Sequence, residues 1–186
     1  MCSSDLMASG LLPVLLGEAT KFAHDLLDAD KTYVATLMLG ETSTTADAEG
    51  EIRPTQRPLP DREAFSRVLQ QFTGQIDQLP PMYSALKRDG RPLYEYARQG
   101  IELERQTRAI TIHRIELLSF EPPLASIRVA CSKGTYLRTL AEDIGEACGC
   151  GAWLKGLRRE AVGALELDRA VTLAAIEARE GAARDD

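Results

Sequence analysis

Ile127-Arg-Val-Ala-Cys131-Ser-Lys-Gly134-Thr-Tyr136-Leu-Arg138-Thr-Leu140-Ala-Glu-Asp-Ile144-Gly-Glu-Ala-Cys148 changes its hydrophobic period once, and the change decides the fold class. Up to Cys131 the alternation puts Ile127, Val129 and Cys131 on one side of a strand. After Gly134 the spacing becomes three and four, so Leu137, Leu140, Ile144 and Cys148 share one side of a helix, with Gly149 as its stop. A strand running through a glycine turn into a helix places Lys133, Thr135, Tyr136 and Arg138 around a helix N-terminus. Free N–H groups and the helix dipole there favour an anion. A Gly and a Lys also serve many such turns for structural reasons, so the residues alone leave both readings open.

Working outward, Thr32 to Leu39 is a second alternating strand, with Tyr33, Ala35, Leu37 and Leu39 on one face. On pattern alone Tyr33 reads as half-buried core as readily as a stacking platform. Another strand begins at Ile110 and reaches Phe120. Asp61 caps a helix whose Phe65, Val68, Leu69 and Phe72 fall at i, i+3, i+4 and i+7, with Gly74 closing it. Pro92 starts a shorter helix that runs to Gly100. Gly17 to Leu27 predicts a helix with Ala19, Phe22, Ala23, Leu26 and Leu27 on one side, and Leu173 to Arg179 predicts a terminal helix. Polar Gly40 to Gly50 reads as a loop. Strands and helices in this irregular order predict an α+β fold, with a segment from about Glu41 to Gln106 inserted between strands.

Composition narrows the function classes. The 186 residues hold 22 Lys plus Arg against 28 Asp plus Glu, a net charge of −6, with 44% hydrophobic and 27% charged residues. That balance fits one soluble domain. No apolar run approaches the length of a membrane span, and the first residues have no basic start of a signal peptide, so a cytoplasmic protein without a membrane partner is expected. Cys148-Gly-Cys150 resembles half a metal site, but a zinc site needs about four N/S ligands. Cys131, His24 and His113 are scattered along the chain, so small buried thiols and no metal are expected. The acidity is uneven: residues 84–138 hold 10 basic and 6 acidic side chains, a net of +4. Such a window suits either solvated surface or a local phosphate-tracking strip.

Ala8-Ser-Gly-Leu-Leu-Pro13, Gly17-Glu-Ala-Thr-Lys-Phe22 and Leu27-Asp-Ala-Asp-Lys-Thr-Tyr33 resemble, in order, the bacterial TruB-type tRNA pseudouridine synthases. So do Pro80-Pro-Met-Tyr-Ser-Ala-Leu-Lys87, Gly90-Arg-Pro-Leu-Tyr-Glu-Tyr-Ala-Arg-Gln-Gly100 and Ser132-Lys-Gly-Thr-Tyr-Leu-Arg-Thr139. Gly149 to Ala152 and Leu157-Arg-Arg159 match as well. The resemblance implies a pseudouridine synthase fold: α+β, with a central mixed, mostly antiparallel sheet flanked by helices. It implies a catalytic domain over 1–178 that lacks about forty family residues before Asp5, an RNA-gripping insertion at 41–106, and a frayed tail at 179–186 with no C-terminal RNA-binding domain.

The same resemblance implies isomerisation of uridine to pseudouridine at position 55 in the T-loop of tRNA, by a monomer that uses no metal or organic cofactor. Asp5 stands where the family has its essential carboxylate, although Leu6 replaces the usual Pro after it. Arg138 matches the arginine that pairs with that carboxylate. Tyr33 matches the aromatic that stacks on the target uracil, Tyr136 sits near the base, and Leu157 lines the pocket. Enclosing the base requires it to leave its stack. Tyr83, Lys87, Arg88, Arg91 and Lys133 would contact the T-stem-loop. The alternative is a catalytically impaired fragment that binds the T-loop or aids tRNA folding.

Overall fold

The computed structural model describes residues 8–182, with side chains through residue 178. β2 (Lys31–Leu39) is its axis: the alternation buries Tyr33, Ala35, Leu37 and Leu39 and leaves the residues between them half-exposed. Antiparallel neighbours flank it, β9 (Leu124–Cys131) on one side and β10 (Ala152–Val162) on the other. Beyond β9 lie β8 (Arg108–Glu121) and the edge strand β5 (Gly74–Gln78). Beyond β10 lies β1 (Ala8–Gly10), which pairs in parallel, while β11 (Leu165–Glu166) hairpins back onto β10. The result is the expected α+β architecture, a mixed and mostly antiparallel sheet with helices against it.

Two glycines make this assembly possible. Gly10 has φ +96°, and a Cβ there would stand 2.3 Å from the carbonyl oxygen of Arg159, so only glycine lets β1 lie against β10. Gly145 lies in α4 (Leu137–Ala147), and a Cβ there would sit 2.1 Å from the Ala152 nitrogen. Its absence lets the helix rest directly on the start of β10. The predicted apolar face of α4 is buried through Leu137, Leu140 and Ile144, against Ala35, Leu37, Ile127, Val129 and Leu154 from the sheet. Each such side chain contributes about 1.5–3 kcal/mol of burial. α2 (Arg62–Gln71) is capped as expected, the Ala64 N–H donating to Asp61 Oδ1 at 2.7 Å. It buries Phe65 and Leu69, and the Phe65 ring lies 5.2 Å from that of Phe120.

Several expectations need correction. Gly40 to Gly50 is not all loop: β3 (Glu41–Ser43) pairs with β4 (Ile52–Pro54). The 41–106 segment is not one insertion, because α2 and β5 carry core residues and a sheet edge. What projects is 79–107, with the hairpin β6 (Lys87–Arg88) and β7 (Arg91–Pro92) and the short helix α3 (Leu93–Ala97). The expected helix from Gly17 to Leu27 is a 3-10 turn over Gly17–Phe22 followed by α1 (Ala23–Asp28), and Phe22 and Leu27 are exposed rather than buried. The terminal helix, α5 (Leu173–Ala182), extends three residues past Arg179, as its Ala-rich sequence favours, so the predicted tail begins inside it. Among the described residues no helix is long and apolar enough to cross a membrane.

Candidate active site

Arg138 occupies the second position of α4 and is 1% exposed. A buried guanidinium needs a counter-charge and acceptors for its N–H groups. Its Nη1 donates to Asp47 Oδ2 at 2.8 Å, and its Nη2 donates to the Tyr83 carbonyl at 2.6 Å. Among the described residues the buried Nε has no hydrogen-bond partner. Asp47 is as buried as Arg138, and it is held from several directions. Its Oδ1 accepts from Thr45 Oγ1 at 2.5 Å and from the Glu49 N–H at 3.0 Å. The Leu154 N–H donates to the Ala46 carbonyl at 2.9 Å, and this fastens the loop to β10. Sequence reasoning misses Asp47, which looks like one more acid in a polar loop. The signal lay on α4, where Arg138 shares a helical stripe with Ala141 and Gly145 and must therefore be buried with a carboxylate against it.

Tyr33 lies 6% exposed on the core face of β2, across from Arg159 on β10 and Val129 on β9. It lines a groove of about 370 Å³ together with Lys31, Ser132, Thr135, Arg159 and, on its apolar side, Leu26. Leu157, two residues before Arg159, is buried in the same cluster as Tyr33 and Leu137. Tyr136 is the residue that precedes α4, 4% exposed. The structure thus brings Tyr33, Leu157 and Leu137 into one core, with the neighbours of Leu137, Tyr136 and Arg138, also buried. Asp5 lies outside the described residues.

The four residues expected around an anion at the helix start do not converge. Lys133 is exposed and its Nζ lies 2.9 Å from Asp28 Oδ1, a contact that holds the Asp28 carboxyl below the usual carboxylate value. Thr135 Oγ1 donates back to the Ser132 carbonyl at 2.9 Å, and the Tyr136 N–H donates to Gln78 Oε1 at 2.8 Å. Arg138 turns inward to Asp47.

The projecting 79–107 segment carries the other expected RNA contacts. Lys87, Arg88 and Arg91 are exposed at the β6–β7 hairpin. Arg91 pairs with Glu95 at 3.2 Å and its guanidinium lies 4.9 Å from the Tyr96 ring centre, while that of Arg98 lies 5.2 Å from the Tyr94 ring centre. Tyr83 is half-buried, and its carbonyl joins the segment to Arg138. Between this segment and α4 runs a second groove of about 510 Å³, lined by Tyr83, Arg105, Thr139, Glu142 and Asp143. Burial, reinforced by the Glu142 charge, pushes the Asp143 carboxyl up to about 6.

Neither thiol of the Cys148–Cys150 pair is pushed toward the thiolate. Burial pushes Cys148 up to about 12 and raises Cys150 as well. No group of three or more His, Cys, Asp or Glu side chains stands ready for a metal among the described residues.

The profile of the TruB family pseudouridylate synthase N-terminal domain matches residues 3–137, and that of the tRNA pseudouridylate synthase B C-terminal domain matches 138–185. The boundary falls inside α4, so both profiles describe one continuous sheet domain here. The chain is 60% identical over 181 residues to tRNA pseudouridine synthase B of Azoarcus sp. (strain BH72), covering 97% of this chain and 60% of the relative. It is 59% identical over 182 residues to the protein of that name from Cupriavidus metallidurans, covering 97% of this chain and 58% of the relative. The chain therefore spans about 60% of the length of these relatives. Among solved structures, a chain of a Cbf5-Nop10-Gar1 complex superposes with a TM-score of 0.67 at 31% identity, over 89% of this chain and 40% of that one. An H/ACA RNP bound to a substrate RNA containing 2'-deoxyuridine gives a TM-score of 0.56 at 25% identity, over 81% of this chain and 34% of that one. With this profile match and this fold, the chain belongs to the TruB family of pseudouridylate synthases.

Proposed function

We propose that this chain isomerises uridine to pseudouridine in tRNA, at position 55 of the T-loop. The observation that carries the reading is the near 60% identity to tRNA pseudouridine synthase B proteins across 97% of the chain. It is supported by the burial of Tyr33, Leu157, Tyr136 and Arg138, the residues that match the family's pocket, and by the packing of Tyr33 and Leu157 in one core cluster with Leu137. In the reaction N1–C1′ breaks, C5–C1′ forms, the C5 hydrogen leaves as a proton and N1 takes one up. Asp5 supplies the carboxylate that drives it, acting ionised on a uridine drawn out of its stack. Tyr33 stacks on the freed uracil, which offsets about 1–3 kcal/mol of the unstacking. Tyr136 lies beside the base where the C5 proton is removed, and Leu157 closes the pocket. The chain works as a monomer in the cytoplasm. Tyr83, Lys87, Arg88, Arg91 and Lys133 follow the T-stem-loop backbone.

Because the C5 hydrogen is lost to solvent, release of tritium from a T-stem-loop RNA bearing 5-tritiated uridine tests the reading. The chain is expected to release it and Asp5→Asn to abolish release. Binding of the RNA with no release from the parent would instead favour a T-loop-binding fragment or folding aid.

A further inference from the structure

Gln78 ends β5 at the sheet edge, yet its side chain is 2% exposed. A primary amide has four hydrogen-bonding positions, and burying it without partners is costly. Both of its ends meet a single residue. Oε1 accepts the Tyr136 N–H at 2.8 Å and Nε2 donates to the Tyr136 carbonyl at 3.1 Å. The side chain thereby imitates a strand partner for one residue 58 positions away. This orientation of the amide is fixed, because the reverse would set donor against donor and acceptor against acceptor.

The place of that clamp gives it meaning. Tyr136 has extended backbone angles, φ −104° and ψ 108°, while Leu137 begins the helix. Its carbonyl also accepts the first helical bond, from the Leu140 N–H at 3.0 Å. The Tyr136 side chain makes no cap hydrogen bond at this helix start. The preceding turn is pinned separately, by paired bonds between Thr111 and Ser132: the Ser132 N–H to the Thr111 carbonyl and the Thr111 N–H to Ser132 Oγ, each 2.9 Å. Gln78 therefore holds the one backbone unit that sets the direction of the Tyr136 side chain and the register in which Arg138 enters α4. From Gln78 the chain runs on to Tyr83, whose carbonyl accepts from Arg138, so the strap 78–83 is fastened to the helix start at both ends.

We infer that Gln78 is a positioning residue for Tyr136: its buried amide fixes the Tyr136 backbone so that the ring faces the target base. The inference rests on the synthase reading above. Few replacements preserve the clamp. Asn is one methylene too short, Met keeps the length and loses both bonds, and an ionised Glu sets an acceptor against the Tyr136 carbonyl.

The test is a double-mutant cycle in the full chain, Gln78→Met and Tyr136→Leu singly and together, read by single-turnover pseudouridine formation and by tRNA affinity. Gln78→Met is expected to lower the single-turnover rate at least tenfold with tRNA affinity within twofold of the parent, and to lower it less than twofold once Tyr136 is Leu. Amide hydrogen exchange at residue 136 is expected to speed up at least tenfold in Gln78→Met. A rate within twofold of the parent, or the same full loss in the Tyr136→Leu background, overturns the inference. Unchanged exchange at 136 removes the clamp itself. A parent chain that forms no pseudouridine overturns the synthase reading and the catalytic sense of Gln78 with it, while the exchange measurement still judges the clamp.

Discussion

Arg138 and Asp47 stand 91 residues apart in sequence and 2.8 Å apart in the fold, with both side chains 2% exposed. A pair buried so deeply is costly to break from one side, because the remaining charge keeps its desolvation without its partner. Asp47→Ala is expected to destabilise the chain by about 3–5 kcal/mol in urea unfolding. A double variant, Asp47→Leu with Arg138→Met, should recover much of that loss and yet restore no pseudouridine formation. A single Asp47→Ala within about 1 kcal/mol of the parent would mean that water or another group takes over the arginine.

Asp143 gives a pH signature. Burial raises its carboxyl to about 6, whereas in the unfolded chain it titrates near the ordinary value of 3.8. The folded state therefore holds this proton longer, and its contribution to stability is full below about pH 4 and lost as pH rises through about 6. Asp143→Asn should flatten the fall in stability across that window. It should gain about 1 kcal/mol at pH 7.5, after allowing for the water that reaches a half-buried carboxyl, and nothing at pH 4. Urea unfolding at the two pH values checks this.

Lys87 and Arg88 sit exposed at the tip of the projecting hairpin, where their use to RNA is as charge. Replacing both with Ala should weaken tRNA binding and reduce the slope of log K against log salt by about 1.5 to 2, one counter-ion for each lost phosphate contact. The single-turnover rate at saturating enzyme should stay within about twofold of the parent, since neither side chain reaches the core. An unchanged slope would place the RNA elsewhere.

Tyr33 tests the stacking role. Tyr33→Leu should lower kcat/KM by about 5–150-fold, the equivalent of the ~1–3 kcal/mol that a base–aromatic stack supplies. Tyr33→Phe, which keeps the ring, should lose much less. Equal losses in both would shift the weight from the ring to the hydroxyl.

How much of this was legible in the sequence depends on how local each signal is. β2, β9 and α4 declare themselves because every core-facing residue follows one period, and α2 adds a visible Asp61 cap. β10 does not, although it is a central strand. Register shifts between Leu154 and Gly156 and between Arg159 and Ala161 break its alternation, and Lys155, Arg158, Arg159 and Glu160 mask its apolar side. β5 offers only Ile76 among polar residues, as an edge strand can. Asp47 and Gln78 are legible only in three dimensions, since each is defined by a partner on α4. The family motifs named Tyr33, Tyr136, Arg138 and Leu157, but the support beneath them lay in stretches that read as plain loop or polar edge.

Conversion of one tRNA uridine into pseudouridine by this chain, as proposed, can be read by nucleotide-resolution mapping of pseudouridine on an unmodified tRNA transcript. Product is expected at the T-loop uridine, position 55, with every other uridine unchanged and with no product from the Asp5→Asn chain. Product scattered over other uridines, or none at all while the tRNA remains bound, would contradict it.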